Sequence, residues 1–359
     1  MSDVRDATFG DPPVWVLDDF RSGGASAALG IAERLGVPFR RIPLTWNWMA
    51  SVTALSRRGT LIGLAPPTGR GPEERAPSFT PAVSLLAPPP GGEGPKLVIS
   101  AGTRAASVAL WLKSRFACHV VHCAGPAPLL APLLTPFGVL RRPETFDMLV
   151  VPAEARPTGP QDGLFPVLGA PHRVSPLALH QAGNAWAERL GHLPRPHVVL
   201  LVGGPVRGTD MPPAQAHALA RKVGRLTLRL GGSVLASTSR RTGAEASDAL
   251  AAGLSRTMHL LYRWGEPGEN PYLGFLAGAD AIVVTADSTT MLGEACATEA
   301  AVLVALPELA GLRQRRLVAA LAQAGQVRPL RDDLSPWPRA RLDEAGRVAA
   351  EIHRRFALD

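Results

Sequence analysis

One pattern restricts this chain more than any other. Short β-branched runs, nearly all apolar, alternate with longer Ala/Leu/Arg-rich segments from end to end. Runs that are apolar throughout belong to strands buried on both faces, as in parallel sheets whose crossover helices cover either side. The fold class read from this is α/β. In the first half, strands are expected at 14–18, 37–44, 60–64, 97–100, 118–123 and 146–151, with helices over 22–35, 103–116 and 175–190. Gly36 stands where a capping glycine would end the first helix. Residues 66–95, dominated by Pro and Gly, read as a long loop. The second half carries expected strands at 197–202, 233–238, 258–262, 281–285 and 301–305. Its helices are expected over 212–230, 242–254, 271–278, 288–298, 311–325 and 341–356. No short internal repeat is present. Two Rossmann-like, doubly wound domains joined near residue 190 and facing a cleft account for this order, and such a cleft is the default ligand site.

Composition removes several functions. No charge-free apolar run reaches membrane-spanning length, and the start, MSDVRDATFGDPP, lacks a basic and then apolar leader pattern. Cys118, Cys123 and Cys296 form a sparse, odd set that suits a reducing compartment. The expectation is a cytoplasmic protein. The formal charge is +8, yet only Lys96, Lys113 and Lys222 are lysines and the other 35 basic residues are arginines. With abundant Ala, Gly and Pro, that reads as a GC-rich bacterial genome. The arginines are dispersed and no nucleic-acid-binding motif is present, so no specific nucleic-acid partner is expected. No lysine follows a glycine, which excludes a P-loop. Four residues beyond Tyr262 and Tyr272 stand Glu266 and Leu276, so the Tyr/Lys pair of short-chain reductases is missing. Neither Gly-x-Ser-x-Gly nor His-Glu-x-x-His occurs.

Three segments of the second half carry the candidate chemistry. In VVLLVGGPVRG (198–208), a buried strand delivers Gly203 and Gly204, whose missing Cβ atoms allow close approach to a ligand or make a tight turn. In GGSVLASTSRRTG (231–243), a strand ends at Thr238, Ser239, Arg240, Arg241 and Thr242 as a helix begins. Hydroxyls, amides and two arginines there suit an anion. In the third segment, strand 281–285 opens into Thr285-Ala286-Asp287-Ser288-Thr289-Thr290 and a helix that carries Met291 and Glu294. Asp287 or Ser288 is a natural N-cap. The helix start suits a pyrophosphate, and Glu294 lies where a carboxylate meets ribose hydroxyls or solvent. In the first half, Asp18 and Asp19, in Asp18-Asp19-Phe20-Arg21-Ser22-Gly23-Gly24, end the first strand and are the candidate catalytic bases. Cys118, His119, His122 and Cys123 resemble a zinc set only on paper. On a strand they alternate between faces and cannot converge on one ion, so no metal site and no cofactor are expected.

The three segments, together with GAPHRVSPLAL (169–179), closely resemble the mitochondrial-fission "elongated mitochondria" family over nearly the whole chain. The resemblance implies a GT-B-like fold of the glycosyltransferase superfamily. Its implied layout is an acceptor-side domain at 1–190, a nucleotide-sugar domain at 191–335, and a terminal helix within 336–359 packing back on the first. The helix at Ser288 is also similar to the nucleotide-sugar motif of the peptidoglycan N-acetylglucosaminyltransferase. Family members carry Asp-Gly-Lys-Pro-Gly-His after the first strand. Here the acid is kept and the lysine and histidine are gone. Their Gln-Asp-Pro-Arg is replaced by Cys123-Ala124-Gly125-Pro126. Donor binding is therefore implied more strongly than turnover.

The expected function is binding of a nucleotide-sugar or nucleoside diphosphate, with transfer to an acceptor in bacterial envelope sugar chemistry. Gly203, Gly204, Thr238, Ser239, Arg240, Arg241, Thr285, Asp287, Ser288, Thr289, Met291 and Glu294 would form the nucleotide site. Two alternatives stand beside it. One is a sugar-nucleotide 2-epimerase on the same fold. The other is a non-catalytic scaffold whose basic surface recruits a protein or a peripheral membrane.

Overall fold

The computed structural model describes residues 12–19, 24–50, 59–65, 83–90, 92–124, 146–153, 163–204 and 211–358. Residues 20–23 of the first loop, all of 66–82, the positions Gly125 and Pro126, and residues 205–208 of the glycine segment lie outside them. The chain divides into two compact units. One comprises Met1–Val167, Pro171–Arg173 and Glu344–Asp359, and the other Leu168–Ala170 and Val174–Asp343.

The first unit is built on a six-stranded sheet, β2-β1-β5-β6-β7-β8. Its strands are β1 (Val14–Asp18), β2 (Phe39–Pro43), β5 (Leu97–Ala101), β6 (His119–Cys123), β7 (Met148–Pro152) and β8 (Leu164–Val167). Every neighbouring pair is parallel. β3 (Thr45–Trp46) and β4 (Leu64–Ala65) make a separate antiparallel pair. Helix α1 (Gly24–Leu35) ends at Gly36, whose φ of 68° is open to glycine without strain. Its apolar side joins Val14, Val16, Ile99 and Val121 in one core. The helix α2 (Thr103–Phe116) covers the other face with Trp15, Leu17, Val98 and Val120. Alternate residues of one strand thus feed two cores, which is why the strands read as uninterrupted apolar runs.

The second unit repeats the plan with order β11-β10-β9-β12-β13-β14. The strands are β9 (His197–Val202), β10 (Ser233–Thr238), β11 (His259–Tyr262), β12 (Ala281–Thr285), β13 (Ala301–Ala305) and β14 (Arg328–Pro329), all parallel. Helices α3 (Pro176–Gly191), α6 (Tyr272–Gly278), α7 (Thr289–Cys296) and α8 (Leu312–Gln323) pack on one face. On the other face lie α4 (Pro213–Arg229) and α5 (Ala244–Leu254). The order runs outward from β9 through β10 to β11, then restarts on the other side of β9 with β12. The switch point therefore lies between β9 and β12, where parallel sheets of this kind open a crevice at the C-terminal strand ends.

The terminal helix α9 (Glu344–Arg355) belongs to the first unit. Val348, Ala349 and Ile352 enter the core of α1, and a ring nitrogen of His353 bonds the Leu35 carbonyl at 2.9 Å. Helix α3, read from the sequence as closing the first half, belongs instead to the second unit, where Trp186 meets Phe275 edge to face. The expected strand at 60–64 is only the two-residue β4, outside the main sheet. Strands β8 and β14 were not expected. Each is an edge strand containing a proline, Pro166 or Pro329, and proline masks a strand in sequence while an edge tolerates it.

Candidate functional site

The candidate residues of the second unit gather at the switch point. Strand β9 leads into Gly203 and Gly204, while β10 ends in Thr238 and β12 in Thr285. The Gly203 amide donates to Thr285 Oγ1 and the Gly204 amide to Asp287 Oδ2, each at 2.8 Å. Thr242 donates its hydroxyl to the carbonyls of Val202 (3.0 Å) and Gly203 (2.6 Å), and accepts the Ser239 amide at 2.9 Å. The Arg241 amide donates to Ser239 Oγ at 3.2 Å, while its guanidinium reaches Asp287 Oδ2 at 3.6 Å. Thr238 Oγ1 accepts the Trp264 amide at 2.8 Å. The three strand ends are therefore tied into one network.

This network explains the two glycines. A Cβ on Gly203 would lie 2.2 Å from the Asp287 carboxylate, and one on Gly204 2.0 Å from the Arg241 carbonyl. The missing side chains make room for protein, and both amides are already engaged. Asp287 is the hub. It is fully buried, and among the described residues its Oδ1 has no hydrogen-bond partner. Burial pushes its carboxyl above the usual range, against the opposing Gly204 amide and Arg241 charge.

Beyond Asp287 the chain enters α7. Ser288 is its N-cap and accepts the Met291 amide at 3.5 Å. Thr289 opens the helix, and Arg240 is exposed on the neighbouring loop. Glu294 is half-buried and accepts the Tyr272 hydroxyl at 2.6 Å. Burial lifts the Glu294 carboxyl to about 7 and holds Tyr272 well above its ordinary value, so the tyrosine remains the donor. Sequence reasoning missed Tyr272 and the Arg241–Asp287 pair, and it placed Thr242 in the anion-binding segment without its bonds to the end of β9.

Asp18 and Asp19 belong to the first unit, and both are buried. Arg41 pairs with Asp18 Oδ2 through its guanidinium. Arg104 lies 3.3 Å from Asp19 Oδ2 and over the Trp46 ring. Both candidate bases thus face a cation. In β6, His119 stacks on Phe356 and His122 on Phe146, which lie in the two opposite cores, so the strand presents these side chains to opposite faces. Among the described residues, no three His, Cys, Asp or Glu side chains gather as a metal set, and no helix is long and apolar enough to cross a membrane.

The chain matches the family model described as Mitochondrial fission ELM1 over residues 22–356. It is 31% identical over 205 residues to the mitochondrial fission protein ELM1 of Arabidopsis thaliana, covering 55% of this chain and 47% of the plant protein. The match thus spans about half the length of that curated relative. Among solved structures it is similar to the UDP-GlcNAc 2-epimerase from Methanocaldococcus jannaschii, with 13% identity and a TM-score of 0.50 over 95% of this chain and 99% of that one. At that identity the likeness is one of fold, the GT-B-like α/β arrangement of two parallel-sheet units.

Proposed function

The chain belongs to the mitochondrial fission ELM1 family, and from that premise and the geometry of the second unit we propose that it binds a nucleotide-sugar. The observation that carries this reading is the start of α7 at the switch point between β9 and β12. Its first-turn amides have no intrahelical partners, and with the helix dipole they favour an anion. Thr289 and the exposed Arg240 add a hydroxyl and a charge beside it. Ser288 and Met291 shape the turn, while Glu294, fixed by Tyr272, offers its second carboxylate oxygen to a ribose. The network of Gly203, Gly204, Thr238, Ser239, Arg241, Thr285 and Asp287 acts behind this surface by holding the three strand ends in register. In a transfer reaction Arg240 or Arg241 would neutralise the departing diphosphate, and the candidate bases in the first unit are Asp18 and Asp19.

A second reading is favoured by one observation: Arg41 and Arg104 face those two aspartates. Each arginine engages a carboxylate oxygen that a base would need for the acceptor's proton, which suits a protein that binds a nucleotide-sugar and recruits a partner without turning it over. A 2-epimerase would occupy the same donor site and differ in its product.

A thermal-shift panel of nucleoside diphosphates and their sugars tests the proposal. A ligand at a hundred times its Kd adds about 2.7 kcal/mol, so at least one member should raise the melting temperature in a saturable way. A panel without any shift at millimolar concentration would remove the nucleotide reading. For a positive ligand, chromatography of released diphosphate or epimerised sugar separates enzyme from scaffold.

A further inference from the structure

A cavity of about 690 Å³ lies in the second unit, and its lining contains none of the residues proposed for the nucleotide site. It sits at the sheet edge beyond β13 and β14, between α4 and α8. Its volume falls inside the roughly 300–1,000 Å³ range of small-molecule sites. The walls are mainly aliphatic: Leu219, Leu306 and Leu330 belong to the core of α4, and Val304, Val318 and Val327 to the core of α8. Ala218, Ala319 and Ala322 line it while remaining exposed, so short side chains keep it open to solvent.

Its charged lining is unbalanced. Lys222, Arg315 and Arg328 contribute to the wall, against the single acid Glu308. Each cation is positioned by protein. Arg315 Nε donates to the Ala310 carbonyl at 2.8 Å, Lys222 Nζ lies 3.4 Å from the exposed Asp332, and Arg328 lies over the Trp337 ring. Asp332 and its neighbour Asp333 are not part of the lining. An aliphatic hollow with basic groups in its wall is complementary to a molecule with an apolar body and one anionic head. Arginine in particular matches the planar or tetrahedral oxygens of a carboxylate or phosphate.

We propose that this cavity binds a single-chain amphiphile with an anionic head group, a ligand distinct from the nucleotide-sugar. The aliphatic wall takes the chain, and Arg315 with Lys222 or Arg328 takes the head. Ala286, which lines the cavity, directly precedes the hub residue Asp287. The two sites therefore share one loop, although this assignment does not depend on the nucleotide reading.

The test is calorimetric titration of the full chain, below micelle formation, with dodecanoate, dodecyl phosphate, dodecanol and dodecyltrimethylammonium. Dodecanoate or dodecyl phosphate should bind at one per chain, at least tenfold more tightly than the neutral and cationic chains. Whichever binds more tightly identifies the head as carboxylate or phosphate. Ala319→Trp, which fills the cavity from an exposed helix position, should weaken binding at least tenfold, and Arg315→Ala should erase most of the preference for an anion. Ala218→Trp fills the same space from the opposite helix and guards against misfolding of the first variant, with circular dichroism as the control for both. Non-saturable binding, equal affinity for the cationic chain, or unchanged affinity in both folded tryptophan variants would overturn the assignment.

Discussion

Tyr272, the first residue of α6, donates its hydroxyl to Glu294 on α7 across 2.6 Å, joining two helices through residues 22 apart in sequence. The bond fixes one carboxylate oxygen of Glu294. Burial lifts this carboxyl from 4.5 to about 7, with the tyrosine pulling it back down.

That shift makes folding stability depend on pH. Between about 4.5 and 7 the folded chain holds a proton that the unfolded chain has released. The stability therefore falls as pH rises through this window and stays lowered above it. Since the carboxyl is only half-buried, the effect is on the order of 1–3 kcal/mol. Glu294→Gln, which can still accept from Tyr272, should flatten this part of the profile and be more stable than the parent at pH 8 but not at pH 4. Tyr272→Phe should move the midpoint upward. Urea unfolding across pH measures both.

Gly204→Ala should destabilise the second unit, because the added methyl meets the Arg241 backbone carbonyl at 2.0 Å and backbone cannot yield as a side chain can. A loss of about 1–3 kcal/mol or more is expected. Gly36→Ala is the comparison: nothing lies within 4 Å of its Cβ position, so only the strain of its positive φ remains. Thermal melts of the two variants should separate, with Gly204→Ala the lower.

Much of this architecture is legible in the chain, and the losses have physical causes. The strands at 14–18 and 281–285 announce themselves because they are buried on both faces and are apolar up to their final residue. The Ser288 cap is legible because a hydroxyl followed by a helix start is local chemistry. Strands β8 and β14 were hidden by their prolines. Gly203 and Gly204 read equally well as ligand contacts until Asp287 and Arg241, 84 and 37 residues beyond, are seen to fill the space. Tyr272 had no signal of its own, since no spacing rule links it to Glu294. Helix α3 was placed in the wrong half because its sequence neighbours are in one unit and its packing partner α6 in the other.

Arg339 should be a strong contributor to the stability of the second unit. Its guanidinium donates to the carbonyls of Cys296, Thr298 and Ala300 at 2.6–3.0 Å, gathering the chain that leaves α7. Arg339→Ala leaves these acceptors without their charged donor and should lose at least about 2 kcal/mol. Arg339→Lys should recover only part, since one ammonium cannot reach what a planar fork reaches. Denaturant midpoints of the two variants are the measurement.

The most direct test of the nucleotide reading is a titration of folded Ser288→Glu with the best nucleotide from the thermal-shift panel. Glutamate at this position brings a negative charge and bulk to the start of α7, where the diphosphate is proposed to sit, and it replaces a good N-cap at about 1 kcal/mol. Circular dichroism should report an intact fold, and the dissociation constant should rise at least a hundredfold over the parent. A folded Ser288→Glu protein that binds the nucleotide as tightly as the parent would contradict a donor site at this helix.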